Sequence, residues 1–410
     1  MARYDLLVIG GGAAGYFCAV NAARLPPGLK VAILEKSTRV LSKVRISGGG
    51  RCNVTHSCFE IGDMVKRYPR GGNFVRKTFS RFFTTDTISW FETRGVKLKT
   101  EKDGRMFPVT DSSETIISCL LREAGLYNVS LLLQKDVKVV SSTGDGFGLS
   151  CADGSTFSSR YLCIATGGYP KSSMFDWLVS LGHSINDPVP SLFTLNIPKH
   201  PVSALMGLSV EEARIRVNGM KLEQTGPLLI THWGFSGPGV LRLSAWGARL
   251  LAEKGWRCTV QVNWLPRLSE NELRDKLMGM RYSIASQKLY GKNQFGLPNR
   301  LWDFFLQQSG VKEDTRWADL PAKEMNRLIR MLNAGEFDVD GKTTYKEEFV
   351  TAGGIKPEEI DPATMMSKKI DGLFFAGEVM DVDGVTGGFN FQHAWTSGFI
   401  AASAIAERAL

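Results

Sequence analysis

Tyr4-Asp5-Leu6-Leu7-Val8-Ile9 runs directly into Gly10-Gly11-Gly12-Ala13-Ala14-Gly15. An apolar run that breaks into G-x-G-x-x-G is followed by a helical pattern from Tyr16 to Leu25. A second apolar run, Lys30 to Leu34, then ends on Glu35, twenty residues past Gly15. Strand, glycine turn, helix, strand and acid in this order make a dinucleotide-binding βαβ unit. Gly10 permits the tight turn, Gly12 admits a pyrophosphate to the backbone, and Gly15 lets helix pack on strand. Ala14, inside the same motif, is a cofactor candidate with them, and the N–H groups and partial positive charge of the helix N-terminus that follows favour phosphate. Glu35 is placed to accept from ribose hydroxyls, with Lys36 beside it.

Working outward, a second glycine cluster follows at Ile46-Ser47-Gly48-Gly49-Gly50-Arg51-Cys52-Asn53-Val54-Thr55. Consecutive glycines can turn several N–H groups toward one point or let a flat ring lie on bare backbone. Ser47, Gly48, Gly49, Gly50, Cys52 and Asn53 are therefore ligand candidates. Arg51 can add a charge-assisted bond to phosphate or substrate. Cys52 reads as a small buried thiol, with a covalent tether as the alternative.

Residues 74–94 carry Phe74, Phe79, Phe82, Phe83, Ile88, Trp90 and Phe91 and predict a helix facing the core. Gly104 to Pro108 marks a turn and Ser113 to Glu123 an amphipathic helix. Val129 to Val140, Phe147 to Ala152 and Ser155 to Ser159 predict short strands separated by Gly-Asp-Gly and Asp-Gly turns. Gly144 to Gly148 repeats the glycine spacing but opens no helix, so it is not a second nucleotide fingerprint. Tyr161 to Ile164 then leads into Ala165-Thr166-Gly167-Gly168, another strand end of the kind that lies at a ligand crevice. Val137 joins Ala165, Thr166 and Gly167 as a cofactor candidate.

Composition shifts after Asp187-Pro188-Val189-Pro190. Residues 192–263 alternate as strands with a helix near Val240–Leu251, and 269–334 are mostly helical and charged. The chain returns at Phe349-Val350-Thr351-Ala352-Gly353-Gly354. The strand Gly372 to Glu378 and the glycines Gly384, Gly387 and Gly388 follow, then Asn390 and a small-residue helix from Phe391 to Leu410. The expected class is α/β: a Rossmann-like dinucleotide domain (1–191 and 345–410) split by an insertion. The insert comprises a β-barrel-like substrate domain (192–265 and 335–344) and a small helical subdomain (266–334).

The 410 residues are 43% apolar and 22% charged, an ordinary globular balance with a net charge of +9 spread along the chain. The densest basic stretch, Lys66 to Arg81, holds Arg67, Arg70, Arg76 and Lys77 among Tyr68, Phe74 and Phe79. It reads as a solvated basic face, with an anionic ligand or RNA as the alternative. Seven cysteines form no C-x-x-C pair, which suits a reducing cytoplasm. No apolar run approaches the ~18 residues of a membrane span, and no signal-peptide layout opens the sequence. The five histidines, at 56, 183, 200, 232 and 393, show no metal-ligand spacing.

These residues resemble FAD-binding two-domain flavoproteins, in which G-x-G-x-x-G, Ala-Thr-Gly and a late Gly-Leu-Phe-x-Ala-Gly-Glu recur together. Four segments are similar to the BaiN/RdsA-type NAD(P)/FAD-dependent oxidoreductases, a family that includes aminoacetone oxidases. They are Ile46–Thr55, Gly104–Pro108, Thr231–Pro238 and Thr364–Asn390, and the likeness spans the whole chain. Two departures stand out. Leu41-Ser42 replaces the family's Gly and basic residue, though Lys43 is kept, and the Gly-Ser-Thr-Gly-Asp-Gly usual after Ala-Thr-Gly-Gly is missing.

The resemblance implies FAD. Gly377 would admit the pyrophosphate, Glu378 would bond ribityl hydroxyls, and the flavin would lie near Gly48–Asn53 and Gly387–Asn390. A helix N-terminus at Asn390, Phe391 and Gln392 would stabilise reduced flavin. Arg51, Arg105 and His232 are the expected substrate contacts, with His232 as proton carrier or as a packed turn residue. His393 would cap or pack near the ring. Without a second nucleotide unit, NAD(P)H would dock transiently in the substrate cleft. The expected reaction is hydride transfer between an amine- or amino-acid-like small molecule and flavin N5. An NAD(P)H-fed reductase of an activated C=C or C=O (a bile acid or other small molecule) and a flavin-dependent RNA-associated protein are the alternatives. Expected partners are a small-molecule substrate, no stable nucleic acid and no membrane.

Overall fold

A computed structural model describes residues 2–25, 28–344 and 350–410. Phe349 and the expected boundary at 345 lie outside the described residues. The chain divides into two compact units, residues 1–190 with 346–410, and residues 191–345.

In the first unit Leu6, Leu7, Val8 and Ile9 are all buried, as an interior parallel strand covered on both faces requires. The strand Ala2–Ile9 pairs in parallel with Val31–Leu34 on one side and Thr156–Ile164 on the other. Leu373–Phe375, from the far end of the chain, pairs in parallel with Thr156–Ile164. Register puts Ile9 opposite both Leu34 and Ile164, and Ile164 opposite Phe375. Four strands therefore stop at one level, and Gly10, Glu35, Ala165 and Ala376 open from a single sheet edge. Ligands of doubly wound sheets bind at that edge.

The hairpin Val137–Thr143 and Gly146–Cys151 extends the sheet by pairing antiparallel with the first half of Thr156–Ile164. Thr156–Ile164 is thus one continuous strand where two were expected. Val129 to Val140 instead divides into Ser130–Leu132, parallel to Val31–Leu34, and the hairpin strand. The expected 74–94 helix is likewise two helices, Gly72–Phe79 and Thr84–Glu92. Between them the Asp86 carboxylate accepts from the Phe83 N–H at 2.7 Å, which starts the second helix afresh.

The final helix, Phe389–Ala409, packs along Ala13–Arg24. Gly398 allows the approach, since a Cβ there would sit 2.7 Å from the Ala14 carbonyl oxygen. Trp395 closes the seam against Phe17 and Phe91, with centroids 5.2 and 5.6 Å away.

The second unit is built on a seven-stranded antiparallel sheet. Its two edge strands, Gly335–Asp340 and Lys342–Thr343, are consecutive in the chain, so the sheet curls back toward itself like a barrel. Val210, Ala213, Ile215, Val217, Val260 and Val262 alternate inward. The helices Glu270–Ser283, Asn299–Ser309 and Ala322–Ala334 bury Leu277, Phe305 and Leu328 in the same core as Trp264 and Phe337. Among the described residues, no helix is long and apolar enough to cross a membrane.

Candidate functional site

At the glycine turn, a Cβ on Gly15 would lie 2.0 Å from the Gly10 carbonyl oxygen, so only glycine lets this helix start so close to the strand. At Gly12 a Cβ would meet nothing within 4 Å, so the turn is open on the ligand side. No side chain caps the helix there, which leaves its first N–H groups to serve an anion. Glu35 accepts from the Gly11 N–H through one oxygen and the Ser37 N–H through the other, each at 2.8 Å. Nearby, Lys135 donates its N–H to the Glu35 carbonyl at 2.9 Å, which brings the chain leading to Val137 alongside. Lys36 is exposed. Burial, then the Glu35 charge, pushes the Tyr16 hydroxyl up to about 12.

Lys43 and Glu378 form an ion pair at 2.6 Å, and the other Glu378 oxygen accepts from the Thr351 N–H at 2.8 Å. Cβ atoms on Gly167 and Gly168 would stand 3.9 and 3.1 Å from Glu378 oxygens. Lys43, Gly167 and Glu378 are thus assembled at one place. The Gly377 N–H donates to Ser397 Oγ at 2.9 Å, which ties this turn to the final helix, and a Cβ on Gly377 would press on Ala14 at 2.8 Å.

The second glycine cluster is bound to the final helix by a ladder of polar contacts. Asn53, its amide oriented to satisfy both neighbours, accepts from the Gly388 N–H at 2.9 Å and donates to the Thr55 carbonyl at 3.0 Å. Trp395 donates to the Val54 carbonyl at 2.9 Å, and Thr55 donates to Gln392 at 2.6 Å. Asn390 both accepts from and donates to Gly384, closing the glycine loop before the helix. Phe391 stacks on Trp395. The helix begins at Phe389, two residues earlier than expected, with Gly387 and Gly388 at positive φ before it.

Gly48 and Gly49 also hold positive φ, breaking the helix after Ile46. Ser47 Oγ donates to the Val44 carbonyl at 3.1 Å, and its own carbonyl receives the Cys52 N–H at 2.9 Å. The Gly50 carbonyl accepts from the Ser113 N–H at 2.8 Å. Burial pushes the fully enclosed Cys52 thiol up to about 12, which fits a packed thiol.

Arg51 stacks over Phe107 at 4.0 Å, donates to Glu101 at 2.5 Å and to the Gly48 carbonyl at 3.3 Å. Arg105 donates to Asp103 at 2.7 Å and to the second Glu101 oxygen at 3.2 Å. The two arginines are brought together, but their charges meet carboxylates, and Arg51 braces the glycine turn. His232 belongs to the other compact unit, where it is exposed in the turn after Ile230 and leans on Trp233.

Sequence reasoning did not single out Thr351, His56 or the pairing of Arg70 with Asp383. His393, expected to cap or pack near the ring, is fully enclosed against the Gly377 backbone, and both ring nitrogens lack a normal hydrogen bond. Burial lowers its pKa to about 4, so the ring is neutral. Thr351 Oγ1 is buried without a partner next to Gly168. His56 stacks on Phe389 at 4.8 Å and donates from Nε2 to the Asp103 carbonyl at 3.1 Å, while burial lowers its pKa. The Arg70–Asp383 pair locks the loop before the final helix. A contact across several hundred residues has no local signature. The unpartnered His393 and Thr351 atoms, the open Gly12 turn and the Glu35 carboxylate fit FAD. Among the described residues no cluster suits a metal ion.

The model of the HI0933-like protein Rossmann domain matches residues 4–404. Over 415 residues the chain is 32% identical to the ribosomal RNA dihydrouridine synthase of Escherichia coli (strain K12), covering 98% of both. Over 413 residues it is 28% identical to the 3-dehydro-bile acid delta(4,6)-reductase of Clostridium scindens, again covering 98% of both. A solved 3-ketosteroid delta1-dehydrogenase from Sterolibacterium denitrificans superposes with a TM-score of 0.54 at 12% identity, with all of each chain covered. A flavocytochrome c3 fumarate reductase superposes at 0.53 and 16% identity, covering all of this chain and 79% of that one. At such identities the likeness is one of fold.

Proposed function

The chain belongs to the HI0933-like Rossmann family and is an FAD-dependent oxidoreductase, and from that premise we propose that it reduces a carbon–carbon double bond conjugated to a carbonyl. The observation that carries this reading is the full-length likeness to two relatives with related names. One is a delta(4,6)-reductase, and the other makes dihydrouridine, which is uridine with its 5,6 double bond saturated. Steroid enones and uracil share that conjugated group. The names favour this reading over the amine oxidation expected from sequence.

FAD, when bound, supplies hydride chemistry that no side chain can. The chain's own residues hold and polarise. The uncapped Ala13–Arg24 helix would take the pyrophosphate, Glu35 and Glu378 the hydroxyls. The N-terminus of Phe389–Ala409 would favour negative charge developing near Gly387 and Gly388. Arg51, pinned by Glu101 and Phe107, keeps the opposing glycine turn in shape. Overall one NAD(P)H and one proton are consumed per double bond saturated, with NAD(P)H a transient visitor. All seven cysteines are free, which supports a reducing, cytoplasmic setting.

Anaerobic spectroscopy of the purified yellow protein tests this. NADPH or NADH should bleach the flavin, and a 4-en-3-one steroid or a uridine-containing RNA should restore its colour. Bleaching by small amines, with no recovery on adding either acceptor, would replace the reductase reading with an oxidase.

A further inference from the structure

We propose that the exposed basic face carried by residues 59–81 docks the phosphate backbone of a structured RNA and presents it to the loop 381–390. The proposal rests on the reductase reading above, since uracil is the conjugated group an RNA offers.

The helix Gly72–Phe79 is two-sided. Phe74, Val75, Thr78 and Phe79 are buried, while Asn73, Arg76 and Lys77 face solvent. Arg67 before it and Arg81 after it are also exposed, and among the described residues neither they nor Arg76 and Lys77 form an ion pair. Lys66 is exposed too, paired with Asp63 at 2.8 Å. Glu60 and Asp63 are the exposed carboxylates of this stretch, and Asp86 on the following helix is engaged at the Phe83 N–H. Self-repulsion among clustered unpaired cations is relieved by a polyanion, and a phosphate backbone releases counterions as it binds. Phe59, at the start of the same stretch, has 54% of its surface exposed, a platform on which an unpaired base can stack.

Arg70 is the exception in the stretch, and it supplies the link to the site. It is half-buried and paired with the buried Asp383, while the Arg67 carbonyl accepts from the Val385 N–H at 2.9 Å and Tyr68 donates to the Phe389 carbonyl at 2.6 Å. The outer side of the segment is basic, and its inner side grips the loop expected to border the flavin. The association is that of a passing substrate.

The test uses the FAD-loaded full chain in its oxidised form and a fluorescent, uridine-containing RNA hairpin, followed by anisotropy from 50 to 200 mM salt. Wild type should bind, and affinity should fall steeply with salt. The R76Q/K77Q/R81Q variant should lose at least about tenfold at 0.1 M salt and flatten the salt slope by about 2. F59A should weaken binding without changing that slope. FAD content and flavin bleaching by NAD(P)H, followed by reoxidation with a 4-en-3-one steroid, should be unchanged in both, which separates this idea from the reductase reading. The docking surface is overturned if wild type ignores the hairpin at 50 mM salt. It is equally overturned if R214Q/R216Q, on the other unit, loses as much as the triple variant, or if the face binds phosphatidylserine vesicles and not RNA.

Discussion

Arg70 and Asp383, 313 residues apart, form a two-pronged ion pair in which the carboxylate is fully buried. The Gly71 backbone packs on Val382 beside it, so the pair fixes where the 381–388 loop enters the final helix. Removing one partner strands the other charge away from water, which costs about 3–5 kcal/mol for buried pairs. R70A should therefore lower unfolding free energy by that order in urea titration and release FAD more readily on gel filtration. An R70M/D383L double variant should recover much of the stability. If R70A were as stable as wild type, the pair would not hold the loop.

Gly48 gives a second, sharper case. Its φ is +59°, and a Cβ would come within 2.7 Å of the Phe107 ring on which Arg51 stacks. Strain from a non-glycine residue in this region is of order 1–3 kcal/mol, and the ring must move as well. G48A should destabilise by at least about 1 kcal/mol in urea and shift the visible spectrum of bound flavin. G49A, where a Cβ meets nothing within 4 Å, should be milder in stability, since only its φ is strained.

The nucleotide half of the fold was legible because its signals are local. Strand, glycine turn, helix and Glu35 fall within 35 residues, and the late strand carries its own glycines. Arg51 and Arg105 were recognisable as important cations, and Glu101 lies close to Arg105 in sequence, but nothing near Arg51 told that the same carboxylate would take its bond too. Nor does local patterning pair Asn53 with Gly388 or Val54 with Trp395. Hydrophobic period reveals which face of an element is buried, not which distant backbone group satisfies a polar atom. The basic stretch illustrates the same limit. Arg67, Arg70, Arg76 and Lys77 look alike in sequence, and only the structure sets Arg70 apart as a half-buried brace on Asp383.

Cys52 has its thiol enclosed and pushed up to about 12 by burial. At neutral pH its thiolate population is then roughly a thousandfold below that of a free cysteine. Native protein should react with a thiol reagent mainly at the partly exposed Cys58 and Cys258, whereas unfolded protein should titrate all seven. Acid precipitation should leave the yellow colour in the supernatant. Colour retained in the pellet and lost in C52A would mean a covalent flavin after all.

His393 makes the pH dependence of stability testable. Its ring is enclosed, its pKa is lowered by burial to about 4, and an unfolded histidine titrates near 6.5. Between those values the unfolded chain binds a proton that the folded chain does not. Stability therefore falls as pH drops through that window and levels off below about pH 4, a loss of about 3 kcal/mol from this one ring. Burial shifts His56, His183 and His200 in the same direction, so the wild-type slope is a sum, and a variant must isolate the His393 share. H393F removes the titration and, because both ring nitrogens lack partners, leaves no donor newly unsatisfied. Urea unfolding of FAD-free protein at pH 7, 5.5 and 4.5 should give nearly equal stability for the two chains at pH 7. H393F should pull ahead by about 1 kcal/mol at pH 5.5 and more at 4.5. Parallel curves at all three values would mean that the ring reaches water and titrates normally.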